Sequence, residues 1–165
     1  MKNALILSLA GVLLLASTAP CASQGPLTVK GFHLGMDRDA VQAAYQGLLD
    51  AKVAETVSLE RETYRDHITV ENELGSMGNK VELAYNEDGV VTGLTFQHTT
   101  VDILFDAADE AAEAFVARFC SEYDLPGMER DDQGFVTLWT FKNEEGGYQV
   151  SIDNGKNLRI HRLTS

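Results

Sequence analysis

Few residues in this chain could do chemistry, and their spacing speaks against the common catalytic arrangements. Leu74-Gly75-Ser76-Met77-Gly78 approaches the G-x-S-x-G turn that exposes a serine nucleophile, but its first glycine directly precedes the serine instead of standing two positions before it. His33, His67, His98 and His161 form no H-E-x-x-H and no close ligand spacing, so no zinc motif arises locally. They read as exposed or locally bonded imidazoles. Cys120 falls in an amphipathic stretch and reads as a buried structural thiol, with no local signature for a Cys–His pair. Asp153-Asn154-Gly155-Lys156-Asn157 has calcium-type side chains without the D-x-D-x-D-G spacing or the closing glutamate, so a hairpin turn is expected there. No Walker loop or G-x-G-x-x-G is present. The expectation is no catalytic residue, no metal site and no cofactor.

Two other constellations point to binding. If Leu74 pairs with Val81 across two strands, Glu73 stands opposite Glu82, with Glu71 on the same outer face. Like charges placed opposite each other cost a few tenths of a kcal/mol or more, which a basic partner or a cation would relieve. A solvated acidic face is the plainer reading, because surface repulsion is screened. Trp139, the only tryptophan, lies in a segment that is apolar on both sides. If Phe141 pairs with Tyr148, Trp139 joins Val150 in the core; the alternative is an aromatic contact for a partner. Glu71, Glu73, Glu82 and Trp139 are therefore the candidate partner-binding residues.

The elements that must position these residues follow from local grammar. Asp37 is an N-cap, Asp39 suits the first turn, and Met36 with Val41 forms a hydrophobic staple. Val41, Ala44, Tyr45, Leu48 and Leu49 then line one face of a helix from about Arg38 to Leu49. A short strand is expected at Leu27 to Gly31, before this helix. Asp50 to Arg65 is weakly patterned, a connection with a short strand near Val57 to Leu59. Ile68, Val70 and Leu74 alternate with polar residues, as do Val81, Leu83 and Tyr85, then Val90, Leu94 and Phe96; Gly75 to Asn79 and Asn86-Glu87-Asp88-Gly89 are the turns. Phe105-Asp106 repeats the apolar-then-acidic helix entry, with Ala108, Ala111, Ala112, Phe115 and Phe119 as the stripe. Leu125-Pro126-Gly127 ends that helix, and Met128 to Gly134 is a polar loop. Phe135–Phe141, Gly147–Ile152 and Asn157–Leu163 complete the chain as strands. The expected fold class is α+β in two layers, helices on one face of an antiparallel sheet, in the order β-α-βββ-α-βββ. That order suggests a tandem architectural repeat within a single domain over 26–165, with halves 26–100 and 101–165. Common helix and hairpin grammar explains the same order without a repeat.

Composition sets the compartment and the partners. Met1-Lys2-Asn3 supplies a positive charge, Ala4 to Ala16 is an uncharged Leu-rich run, and Ser17-Thr18-Ala19-Pro20-Cys21-Ala22 is a small-residue patch. That is the order of an export signal over residues 1–22. The apolar run falls short of the about 20 residues a membrane span needs, and no second such run follows. Cleavage after Cys21 or Ala22 avoids the proline that would follow a cut after Ala19. Lipidation of Cys21 is the alternative, although Thr18-Ala19-Pro20 departs from the Leu-small-small pattern of a lipobox. Only Cys21 and Cys120 are present, so the chain has no disulfide scaffold. The net charge of −12 repels phosphate backbones and anionic lipid, which sets nucleic acid aside as a partner.

Phe32-His33-Leu34-Gly35-Met36-Asp37 followed by Val41, with the later unit Val81 to Tyr85, Asn86-Glu87-Asp88-Gly89 and Val90 to Phe96, resembles the small envelope domains of the SmpA/OmlA type and the β-lactamase-inhibitor-protein-like type. The resemblance covers residues 30 to 97, and 102 to 163 only in element order. It implies an exported α/β module that acts by binding another protein, as an assembly accessory or an enzyme inhibitor. This chain lacks the lipobox of the former and the cysteine pair in each half of the latter, and no functional residue carries across. The expectation is thus a periplasmic or secreted protein-binding accessory module with a protein partner, basic if the acidic face is used. An envelope hydrolase and a small-ligand carrier are the alternatives.

Overall fold

In the computed structural model the described residues are 25–73 and 77–163. Residues 1–22 with Cys21, the residues Leu74, Gly75 and Ser76, and the export and lipidation expectations lie outside them.

Helix α1 (Arg38–Ala51) begins as its sequence dictates. Asp37 caps it by accepting from the Ala40 amide at 2.8 Å, and the staple residues Met36 and Val41 are both buried. It ends where Lys52 turns left-handed at φ 51° and its N–H bonds the Leu49 carbonyl. Four strands follow: β1 (Thr56–Arg61), β2 (Arg65–Glu71), β3 (Lys80–Tyr85) and β4 (Val91–Phe96). Two helices come next, α2 (His98–Phe105) and α3 (Ala112–Glu122). Strands β5 (Glu129–Gln133), β6 (Val136–Asn143), β7 (Tyr148–Asp153) and β8 (Leu158–Arg162) close the chain. All eight form one antiparallel sheet in the order β1-β2-β3-β4-β8-β7-β6-β5. The fold is α+β, and the sheet dominates it.

Several expectations are corrected. The segment at Leu27 to Gly31 makes only an isolated bridge, Val29 to Phe32, because Lys30 (φ 50°) and Gly31 (φ 89°) double the chain back on itself. The weak strand near Val57 is a full six-residue strand with Val57 and Leu59 turned inward. The polar loop at Met128 is strand β5, every residue of it exposed at the sheet edge. Phe105-Asp106 ends a helix instead of opening one: Asp106 is the left-handed C-cap of α2 at φ 52°, a conformation an aspartate tolerates. Helix α3 starts later, so Ala108 and Ala111 lie before its first turn.

Alternation decides which face each strand buries. Ile68, Val70, Val81, Leu83, Leu94, Phe96, Val150, Ile152, Leu158 and Ile160 join Val41 and Leu48 of α1, Val101 and Phe105 of α2, and Phe115 and Phe119 of α3 in one core. A chain of rings runs through it, Phe32–Phe96 at 6.2 Å, Phe96–Phe105 at 6.2 Å and Phe105–Phe115 at 5.4 Å, all edge-on. Such pairs add about 0.5–1.5 kcal/mol each beyond their burial. They tie the middle of the sheet to both later helices.

Candidate functional site

Residues paired directly across antiparallel strands share a face, so the register gives the composition of the side that the core leaves over. One row crosses all eight strands: Glu60, His67, Glu82, Thr95, Arg159, Ser151, Thr140 and Glu129. All are polar. Apart from Ser151 they are half-buried or exposed. A neighbouring row runs Arg65, Ala84, Gly93, His161, Gln149 and Lys142. It contains cationic ends and no carboxylate.

The two small residues at the centre of that second row leave a depression of about 280 Å³, with Ala84 and Gly93 in its floor and Arg65, Glu82, Arg159 and His161 around it. Its carboxylate neighbours are already engaged. Glu82 accepts from the Gln97 amide at 2.7 Å. Asp153 pairs with Arg159 at 3.2 Å and accepts from the Gly155 and Asn157 amides at 3.0 Å. Among the described residues no carboxylate stands at ion-pair distance from Arg65, His161 or Lys142.

The acidic constellation expected from sequence is not formed. Ile68, not Leu74, pairs with Val81, which sets His67 opposite Glu82. Glu73 lies exposed in the turn after β2. Glu71 shares Glu82's face by alternation, but sits at the strand end opposite Thr56, near the Asn79 amide. Trp139 is in the core, 7 % exposed, paired with Ile152 rather than Val150, with the Arg130 guanidinium over its ring. Phe141 faces Val150, and Tyr148 faces Asn143.

The aromatic most exposed among the described residues is instead Phe135, fully solvent-accessible at the tip of the β5–β6 hairpin beside the half-exposed Val136; Tyr64 is partly exposed. Its position is fixed: the Asn154 side chain donates to the Phe135 carbonyl at 3.0 Å, and the Asn154 amide bonds Thr137 at 2.9 Å. Sequence reasoning missed it because the preceding polar segment does not look like a strand; Gly134, at φ +67°, was the available sign of a hairpin.

The reactive side chains stand apart. Burial pushes the Cys120 thiol up, which keeps it protonated and a poor nucleophile. His33 bonds the Leu34 carbonyl through Nδ1 at 2.9 Å, and His67 Nε2 lies 3.6 Å from Glu62. Among the described residues no three His, Cys, Asp or Glu side chains are grouped to hold a metal ion. A separate cleft of about 430 Å³ lies at the sheet end, between Leu27 and Leu34 on one side and Tyr148, Ile160 and Leu163 on the other. No helix among the described residues is long and apolar enough to cross a membrane. Comparison with protein-family models, with curated proteins and with solved structures gives no match.

Proposed function

We propose that this chain is an exported accessory module that binds another protein on the face of its sheet turned away from the core. The helices then lie on one face only, in two layers, and the other face is free to dock. The observation that carries this is the unbroken polar row across eight paired strands, from Glu60 to Glu129. Half-buried polar side chains on paired strands are already ordered, which lowers the entropy lost on docking. The pinned Phe135 supplies the kind of aromatic anchor that dominates protein interfaces. Export rests on the charged, apolar and small-residue order of residues 1–22. The resemblance to small envelope domains supports the same class of function.

A photo-crosslinking side chain at Thr95, in the centre of the face, is expected to give a discrete adduct in envelope extract. The same group at Ala43, exposed on α1, is expected to give none. Equal adducts at both positions, or none at Thr95, overturn the docking face. Mass spectrometry of the exported chain should read a first residue beyond Ala19; intact chain recovered from the cytosol overturns export.

A further inference from the structure

We propose that the depression over Ala84 and Gly93 receives a carboxylate from an acidic segment of the partner, laid across the strands along the row from Arg65 to Lys142. This rests on the docking face proposed above and names the chemistry of what sits there. The whole chain has 25 acidic and 13 basic residues, so a row with three cationic or protonatable side chains and no acid runs against its composition. These groups are unspent. Arg65, Lys142 and His161 are exposed, with no carboxylate of the described residues in pairing distance; nearby Asp153 is paired with Arg159, and Glu82, on the rim of the depression, accepts from the neutral Gln97 amide.

The spacing suits an extended acidic chain. Arg65 and His161 lie three strand steps apart, about 14 Å at the usual separation of strands. Positions i and i+4 of an extended segment share a face and are also about 14 Å apart. Lys142 lies two steps further on, at about 10 Å, between the same-face positions of such a segment, so its long side chain adds positive charge along the path rather than a third contact in register. Between the first two, glycine and alanine in place of larger residues leave room for the carboxylate and its water. The net negative charge of the protein, and Glu82 on the rim of the depression, oppose an acidic partner, so the attraction has to come from Arg65, Arg159, His161 and Lys142 at short range, where screening is least.

The test uses a labelled Gly/Ser peptide with glutamate at every fourth position, its glutamine counterpart, inorganic phosphate and phosphatidylglycerol vesicles. Binding is read by amide shifts of Gly93 and His161 in the exported protein. The glutamate peptide is expected to bind at least tenfold tighter than the glutamine peptide. R65Q/H161Q/K142Q is expected to lose at least tenfold. So is Gly93→Thr, which fills the depression; an added Cβ there meets only Ala84 Cβ at 3.6 Å, an ordinary contact, and unchanged amide shifts in the core strands check that the variant keeps its fold. Equal binding of both peptides, no saturable binding, or phosphate or vesicles matching the glutamate peptide overturns the inference. If those arms fail while the Thr95 adduct persists in R65Q/H161Q/K142Q, the acidic-segment assignment falls and the docking face stands. If the adduct itself is absent, both fall.

Discussion

Among the described residues Asp66 is the one fully buried carboxylate, and what surrounds it explains why it is tolerated. Tyr85 donates to Oδ2 at 2.8 Å, and Arg38 stands 3.3 Å from Oδ1 with its guanidinium over the Tyr85 ring at 4.6 Å. Arg38 also donates to the Glu62 and Thr63 carbonyls, so one side chain ties the first turn of α1 to the β1–β2 turn. Removing one member of a buried ion pair strands the other, at about 3–5 kcal/mol. Arg38→Met is therefore expected to lower urea stability toward the small end of that range, because Arg38 is 32 % exposed and water can partly replace it. Adding Asp66→Asn should recover part of the loss; no recovery would refute the pairing as the cause. Burial, then the bond to Asp66, pushes the Tyr85 phenol up, and burial does the same to Tyr123. Both keep their protons in the fold at a pH where an unfolded tyrosine, at about 10, has lost its own. The stability they contribute is whole below that value and falls as pH rises past it. Absorbance of tyrosinate should therefore appear in two steps, with Tyr85 and Tyr123 titrating last and together with alkaline unfolding.

Helix α2 depends on a turn far from it in sequence. Gln97 offers it no side-chain cap; instead the Gly78 carbonyl accepts from the Thr99 and Thr100 amides at 2.9 and 3.2 Å, and the Thr99 hydroxyl bonds the Met77 carbonyl at 2.6 Å. Gly78 sits at φ +67°, and an added Cβ would lie 2.0 Å from the His98 ring. Gly78→Ala is expected to cost more than about 1 kcal/mol, the left-handed strain plus displacement of His98. Thermal unfolding checks it, and an unchanged melting point would show that the turn does not hold the helix. This dependence also explains why α2 was not legible. His98-Thr99-Thr100-Val101 is β-branched and poor in helix formers, so nothing local announces a helix. Helix α1 was legible because its cap, staple and stripe are all within its own residues. The strands with apolar alternation were legible for the same reason, and β5, with Glu-Arg-Asp-Asp-Gln and no apolar face, was not. At the candidate site, Glu82 could be placed on an outer face from its strand alone. The row from Arg65 to Lys142 could not, because it exists only once β4 pairs with β8, and that pairing joins residues 93–96 to 158–161.

At the scale of the molecule, strands β1 to β4 and strands β5 to β8 are each joined by sequential pairing, and the two sets meet only along β4 and β8. Whether they unfold together depends on that seam and on the ring chain from Phe96 through Phe105 to Phe115. Ile160 sits in the seam, 1 % exposed, opposite Leu94 on one side and Val150 on the other. Truncating such a side chain leaves a cavity that the flanking strands cannot close, at about 2–5 kcal/mol. Because the same core is shared by both sets, Ile160→Ala should lower the stability of the whole chain rather than loosen one half. Trp139 reports from β6, in the second set, and far-UV circular dichroism reports from every element. In urea the two signals are expected to share one midpoint in the parent chain, and to move to lower urea together in Ile160→Ala. If Trp139 fluorescence changes first and leaves a plateau of residual ellipticity, the two sets are separately stable and the seam is a docking contact between them. A docking face that spans all eight strands needs the seam closed, so the coincident transition is also the condition under which the row from Glu60 to Glu129 can act as one surface.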